Sequence, residues 1–147
     1  DLPNLAGNIR LPGSDTTFSF VSSVTRPTFG SEKFDVLREH LRLVSFEANK
    51  MATPVFAFGE FNAPPWSAEI LDFKSATRLN DSRKPLQTTI PNGYFQLLRV
   101  PVDHIFFSNE FECLNFEELS SNKTWHLGIL GVFQLKQPAQ NVEKTPR

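Results

Sequence analysis

Few side chains in this sequence can do acid–base or nucleophilic chemistry, and their positions narrow the choice. The 147 residues include three histidines and a single cysteine, Cys113. One thiol cannot form an internal disulfide, and zinc sites built from several thiolates are excluded. His40 stands beside an apolar helical stripe, where a surface-flanking role is expected. His104 follows Asp103 in VDHIFFS. Adjacent strand residues point to opposite faces, so these two cannot serve one site without a bulge. His126 stands at the entrance to LGILGVFQL, from which a side chain can reach a sheet rim. Two carboxylates occupy apolar settings, Glu60 after VFAFG and Asp103 within PVDHIFF. A carboxylate there is costly unless it is hydrogen-bonded, paired or bound to a cation, so each is a candidate for chemistry. The competing expectation for each is a hydrogen bond to loop backbone. No Gly-rich phosphate loop, Gly-x-Ser-x-Gly elbow, HExxH or CxxC occurs.

The elements that must position these groups follow from periodicity and punctuation. Residues 1–15 are rich in Gly, Pro, Asn and Asp and read as a lead-in segment; Thr16–Val24 reads as a strand. Ser31 can cap a helix, with Phe34, Leu37, Leu41, Val44 and Ala48 forming one apolar stripe. Pro54 opens PVFAF, a short apolar run suited to a strand buried on both faces. The polar loop GEFNAPPWS follows, and Ser67 can cap a second helix, AEILDFK. Residues 77–92 are polar and irregular. Phe95–Val100, Asp103–Ser108, Phe111–Phe116 and Leu127–Leu135 read as strands, and 137–147 as a polar tail. The order strand, helix, strand, helix, then several strands predicts an α/β or α+β fold with a layered sheet over residues 16–136.

Composition bounds the rest. Fifteen Lys+Arg against 16 Asp+Glu leave a formal net charge of −1, which excludes strong bulk attraction to nucleic acid or anionic lipid. Fifteen Phe beside one Tyr, one Met and two Trp mean an interior built of phenyl rings. No run approaches the ~20 apolar residues of a membrane helix, and DLPNLAGNIR lacks the pattern of a signal peptide. The basic residues Arg78, Arg83, Lys84 and Arg99 cluster around the polar middle loop, where a solvated surface is expected over a grip on a phosphate backbone.

At GEFNAPPWSAEI and PVDHIFFS the sequence resembles the endonuclease/exonuclease/phosphatase superfamily. The motifs of that family are GDFN followed by a Pro/Ser loop, a strand carrying Asp-His or Asp-Tyr, and a final Ser-Asp-His. The ordered match spans about residues 16–135 and is most similar to a bacterial branch in which GDFN precedes Ala-x-Pro-Trp-Ser, often tethered to a membrane. The resemblance implies two packed β-sheets flanked by helices, here a partial or shortened sandwich, and hydrolysis of phosphodiesters or phosphomonoesters with Mg²⁺ or Mn²⁺. Glu60 stands where the family has the Asp that orients the attacking water, and Asn62 where its Asn holds the scissile phosphate. Asp103 matches the carboxylate that pairs with the catalytic histidine, and His126 matches that histidine. A carboxylate behind an imidazole fixes its tautomer and raises its pKa, placing a cation where negative charge collects.

Several positions depart from the pattern. Glu60 is one methylene longer than Asp, and nucleophile placement is sensitive to that. Trp125 falls on the metal-binding Asp of Ser-Asp-His, and Thr124 on its Ser; an indole cannot ligate Mg²⁺. In FVSSVTRP, Val24 or Thr25 replaces a histidine. The first half of the family's domain, with its Asn and metal-binding Glu, has no counterpart, so the chain supplies no principal metal ligand of its own. A fragment or a decayed relative is expected, impaired as an enzyme when alone. The alternative is a non-catalytic binding module whose former cleft is rimmed by Trp66 and Trp125, for which hydrophobic packing competes with ligand contact, more strongly at Trp66. Half a sandwich would expose an apolar face, so self-association or a missing N-terminal half is expected. A periplasmic, membrane-tethered setting is implied by the family alone.

Overall fold

Apolar residues at helical and strand spacings place the elements much as expected. The computed structural model describes residues 4–27, 32–83, 101–119 and 128–136. In chain order the elements are β1 (Asn4–Arg10), β2 (Thr17–Val24), α1 (Glu32–Lys50), β3 (Val55–Glu60), α2 (Ala68–Thr77), β4 (Asn80–Asp81), β5 (Asp103–Phe107), β6 (Phe111–Leu119) and β7 (Gly128–Leu135). Residues 4–10, expected within a lead-in segment, instead form β1. Leu5, Gly7 and Ile9 alternate there with Asn4, Ala6 and Asn8, and the segment pairs antiparallel with β2. Gly7 lies against the Phe20 ring, which hides the apolar period from a sequence reading. The cap expected at Ser31, the strand expected at Phe95–Val100 and the tail 137–147 lie outside the described residues.

Five strands form one sheet in the order β1-β2-β3-β5-β4, with β2 and β3 parallel and the other pairs antiparallel. α1 is the crossover that the parallel pair requires. Leu37, Leu41, Val44 and Ala48 of the expected stripe are buried, whereas Phe34 at the helix start is exposed. They pack with Ile70 and Phe73 of α2 on Val21, Ala57 and Phe106 of the sheet. The opposite face carries Phe18, Phe20, Phe56, Phe58, Ile105 and Phe107.

Part of that opposite face is covered by the antiparallel β6-β7 pair, which has a register irregularity between Cys113 and Asn115. Phe111 meets Phe56 at 4.3 Å between ring centres, and Phe133 meets Phe56 and Phe107 at 4.8 and 5.2 Å. The result is an α/β arrangement with two layers of sheet, the second of two strands, and both helices on one side.

Candidate functional site

The C-terminal end of β3 is bent tightly toward β2. Gly59 has a φ of 138° and lies so close to the Ser23 carbonyl that a Cβ at 59 would run into it. The Thr25 N–H donates to the Glu60 carbonyl at 2.8 Å, and the Phe61 N–H to the Val102 carbonyl at 2.8 Å. β3 is thus tied to both neighbouring strands just where its first polar side chain emerges.

That side chain is Glu60, and Asp103 is its partner across the antiparallel β3-β5 pair. Residues so related hold their Cβ atoms about 4.5–5.5 Å apart on one face. The face is the one that carries Phe58 and Ile105, away from the helices. Both carboxylates are half-buried. Like charges placed so closely repel, and a cation between or beside them relieves the cost.

A cation near Asp103 comes from the chain itself. Arg83, expected on a solvated loop, has a side chain only 3% exposed. Its Nη2 donates to the Asp103 carbonyl at 2.5 Å, its Nη1 lies 3.8 Å from Glu118, and its guanidinium sits over the Phe116 ring at 5.1 Å. Burial lowers its pKa, opposed by the charges of Asp81, Glu118 and Asp103. Arg83 therefore joins the end of β4, the start of β5 and the second sheet. Arg78 ends α2 in a left-handed conformation, and Lys84 and Arg99 lie outside the described residues.

Asn62 takes a left-handed conformation, φ 49°, which asparagine tolerates better than most residues. Its Nδ2 donates to the Thr25 carbonyl at 2.7 Å, so one amide hydrogen is committed to holding the turn. Beyond it, Ser67 caps α2 by accepting from the Ile70 N–H at 3.3 Å. Trp66, for which packing was the stronger expectation, is instead 64% exposed beside that cap.

His104 lies on the opposite face from Asp103, as strand alternation requires. It is fully buried, stacked on Phe106 with 7° between planes and edge-on to Phe61. Nε2 is 2.9 Å from the Ala63 carbonyl, which can only accept, so Nε2 carries the proton. Nδ1 then presents a lone pair toward Asp81, 3.9 Å away and beyond hydrogen-bonding distance. Desolvation pushes the His104 pKa down, outweighing the Asp81 charge, and the ring is neutral. It props the loop that carries Asn62 from beneath. His40, expected at the surface, is half-buried, with Nε2 3.0 Å from Asn4 Oδ1 and 3.2 Å from Ser23 Oγ. Neither role is visible in the sequence, because Ala63 contributes only its backbone and Asn4 stands in a stretch without strand character.

Thus Glu60, Asn62 and Asp103 come together at one end of the sheet. His126 and Trp125, with the expected Asp103–His126 pairing, lie outside the described residues. Among the described residues no three His, Cys, Asp or Glu side chains converge as metal ligands. Glu60 and Asp103 are hard oxygen donors of the kind Mg²⁺ and Mn²⁺ take, and Mg²⁺ is often bound through only one or two carboxylates. The two side chains therefore fit such an ion in kind and supply part of its shell.

No protein-family model matches the sequence, and no curated protein does. Solved structures do match. Over 90% of this chain and 55% of the other, the fold superposes on an endonuclease/exonuclease/phosphatase from Bacteroides vulgatus with a TM-score of 0.74 at 14% identity. The mannosyl-6-phosphatase of Bacteroides thetaiotaomicron gives 0.68 at 18% identity, over 90% of this chain and 57% of that one. The catalytic domain of human Nocturnin gives 0.64 at 19%, over 92% and 53%. The chain spans little more than half the length of these structures. Over that span it has the fold of the endonuclease/exonuclease/phosphatase proteins.

Proposed function

We propose that the chain is one half of a divalent-metal-dependent phosphohydrolase and that its site is incomplete without further polypeptide. The observation that carries this reading is the placement of Glu60, Asn62 and Asp103 at the same sheet end, in a fold shared with phosphatases. Glu60 orients the attacking water, Asn62 holds a phosphoryl oxygen through the amide hydrogen not committed to Thr25, and Asp103 is the carboxylate assigned by the resemblance to pair with His126, whose imidazolium stabilises the transferring phosphoryl. Mg²⁺ or Mn²⁺, when bound, neutralises charge building on the phosphoryl oxygens. Glu60 and Asp103 would hold it in part. The substrate class is a phosphate ester, including nucleic-acid-like diesters.

Calorimetric titration of Mg²⁺ and Mn²⁺, paired with hydrolysis of a generic phosphomonoester and phosphodiester, tests the proposal. Weak divalent binding is expected, lost in Glu60→Gln and Asp103→Asn, with turnover at or near background. Tight binding with brisk turnover would show a complete site, and binding indifferent to both substitutions would remove the carboxylates from it.

The exposure of Trp66 favours a second reading, a binding module that stacks a base or sugar ring on the indole. Quenching of tryptophan fluorescence by a nucleoside monophosphate, lost in Trp66→Ala and unaccompanied by turnover, distinguishes it.

A further inference from the structure

We propose that the outer edge of β1 is a dimerisation edge, at which a second copy of this chain adds its own β1 antiparallel about Gly7. Among the described residues β1 pairs only with β2, so its other edge presents unpaired backbone groups. Natural edges of this kind are blunted by Lys, Pro or bulges. β1 reads NLAGNIR, with no Pro and its one charged residue, Arg10, at the end, and it pairs with β2 without a register shift.

The strand is self-complementary about its central glycine. Antiparallel pairing there sets Leu5 opposite Ile9 of the second copy, twice, with the two Gly7 residues face to face. Leu5 and Ile9 are 64% and 43% exposed, on the face that carries Phe18 and Phe20. The pairing covers both and continues the phenylalanine-lined surface across the two-fold axis.

On the helix side the pairing borders a partly apolar groove. Asn4 reaches His40 of α1, which places the even-numbered residues of β1 on that side. The pairing sets Arg10 of the second copy opposite Asn4. Asn4 lines a groove of about 730 Å³ together with Arg26, Asp35 and Glu39, and the two carboxylates are paired with Arg38 and Arg42 of α1. Val36 and Leu43, both exposed, line the same groove. Among the described residues Arg10 pairs with Asp15 and donates from Nε to the Ser14 carbonyl, and the Arg10 and Asp15 side chains are largely exposed. Such a pair contributes little and is readily exchanged. A net charge of −1 sets up no long-range repulsion between copies.

A seven-residue strand is about 23 Å long, and an edge of that length buries on the order of 1,000 Å² in total, the low end for a specific interface. The dimer should therefore be reversible.

Sedimentation equilibrium from low to high micromolar concentration reads it directly, on the wild type and on two double variants altered at exposed positions. Leu5→Lys with Ile9→Lys places like charges opposite each other and is expected to weaken the dimer at least tenfold. Leu5→Lys with Ile9→Glu places opposite charges there and is expected to restore it, with a salt dependence the wild type lacks. Circular dichroism checks that both variants fold. A wild type that stays monomeric throughout would overturn the proposal and leave the edge to another polypeptide. So would a dimer that ignores both variants, which would place the second copy on a different surface.

Discussion

On its helix side the five-stranded sheet buries Val21, Ala57 and Phe106 completely, whereas the opposite side holds Phe18, Phe20, Phe58 and Ile105 only partly covered. The residue types are alike and the covering layers are not. Two helices close the first side, α1 with a regular apolar stripe and α2 through Ile70 and Phe73. A two-stranded ribbon closes part of the second, and the solved structures of the same fold carry nearly as much chain again beyond the matched part. The larger buried cluster therefore lies on the helix side, while Glu60 and Asp103 lie at the rim of the other, where Phe56, Phe107 and Phe111 form a smaller one. The carboxylates sit on the unfinished side of a finished scaffold.

The strongest test of this contrast is Phe106→Ala. Phe106 touches Phe61, Phe73 and His104 and is inaccessible to solvent. Truncation should cost about 3–5 kcal/mol in denaturant unfolding, since the surrounding rings cannot collapse into the space. A loss under about 1 kcal/mol would mean that the helix side is not the stabilising core.

Much of that side was legible beforehand. The stripe from Leu37 to Ala48, the apolar run of β3 and the Ser67 cap are local signals, and each formed the expected element. β1 was not legible, because its apolar period is carried by Leu5 and Ile9 with a glycine between them and appears only against Phe20. The site was legible in part. Glu60 and Asp103 stood out as acids in apolar runs, but their adjacency depends on the β3-β5 register, which spacing does not give. The burial of Arg83 was hidden because its partners, Asp103 and Glu118, come from two later strands. Solvation is the default for an arginine in a polar stretch, and only long-range packing overrides it.

A smaller effect separates the two sides by pH. Burial lowers the pKa of both His104 and His40 below the ordinary 6.5. The unfolded chain then binds protons first as pH falls, so stability is complete above about pH 7.5 and declines through 6.5 toward the folded-state values. Each shifted histidine contributes at most about 1.4 kcal/mol per pH unit. Glu110, held below 4.5 chiefly by the Ser108 hydroxyl, and Glu39, held there by Arg42, act only in more acid solution. His104→Gln keeps an N–H for the Ala63 carbonyl and should flatten the slope between pH 7.5 and 5.5. An unchanged slope would show that the buried ring on the helix side is not what titrates.

The smallest expected effect sharpens the contrast most, because it lies on the partly covered face. Phe20 stacks on Phe58 at 5.9 Å, with 26° between planes, and borders Gly7, yet it remains partly exposed. Its ring has no layer above it comparable to the one over Phe106, so Phe20→Ser should cost only about 1 kcal/mol. Binding of a hydrophobic dye should fall in the same variant, since the substitution removes apolar surface that water already reaches. Equal costs for Phe20→Ser and Phe106→Ala would mean that the face is fully covered in solution. The two sides of the sheet would then be equally finished, and the incompleteness proposed for the site would lose its physical basis.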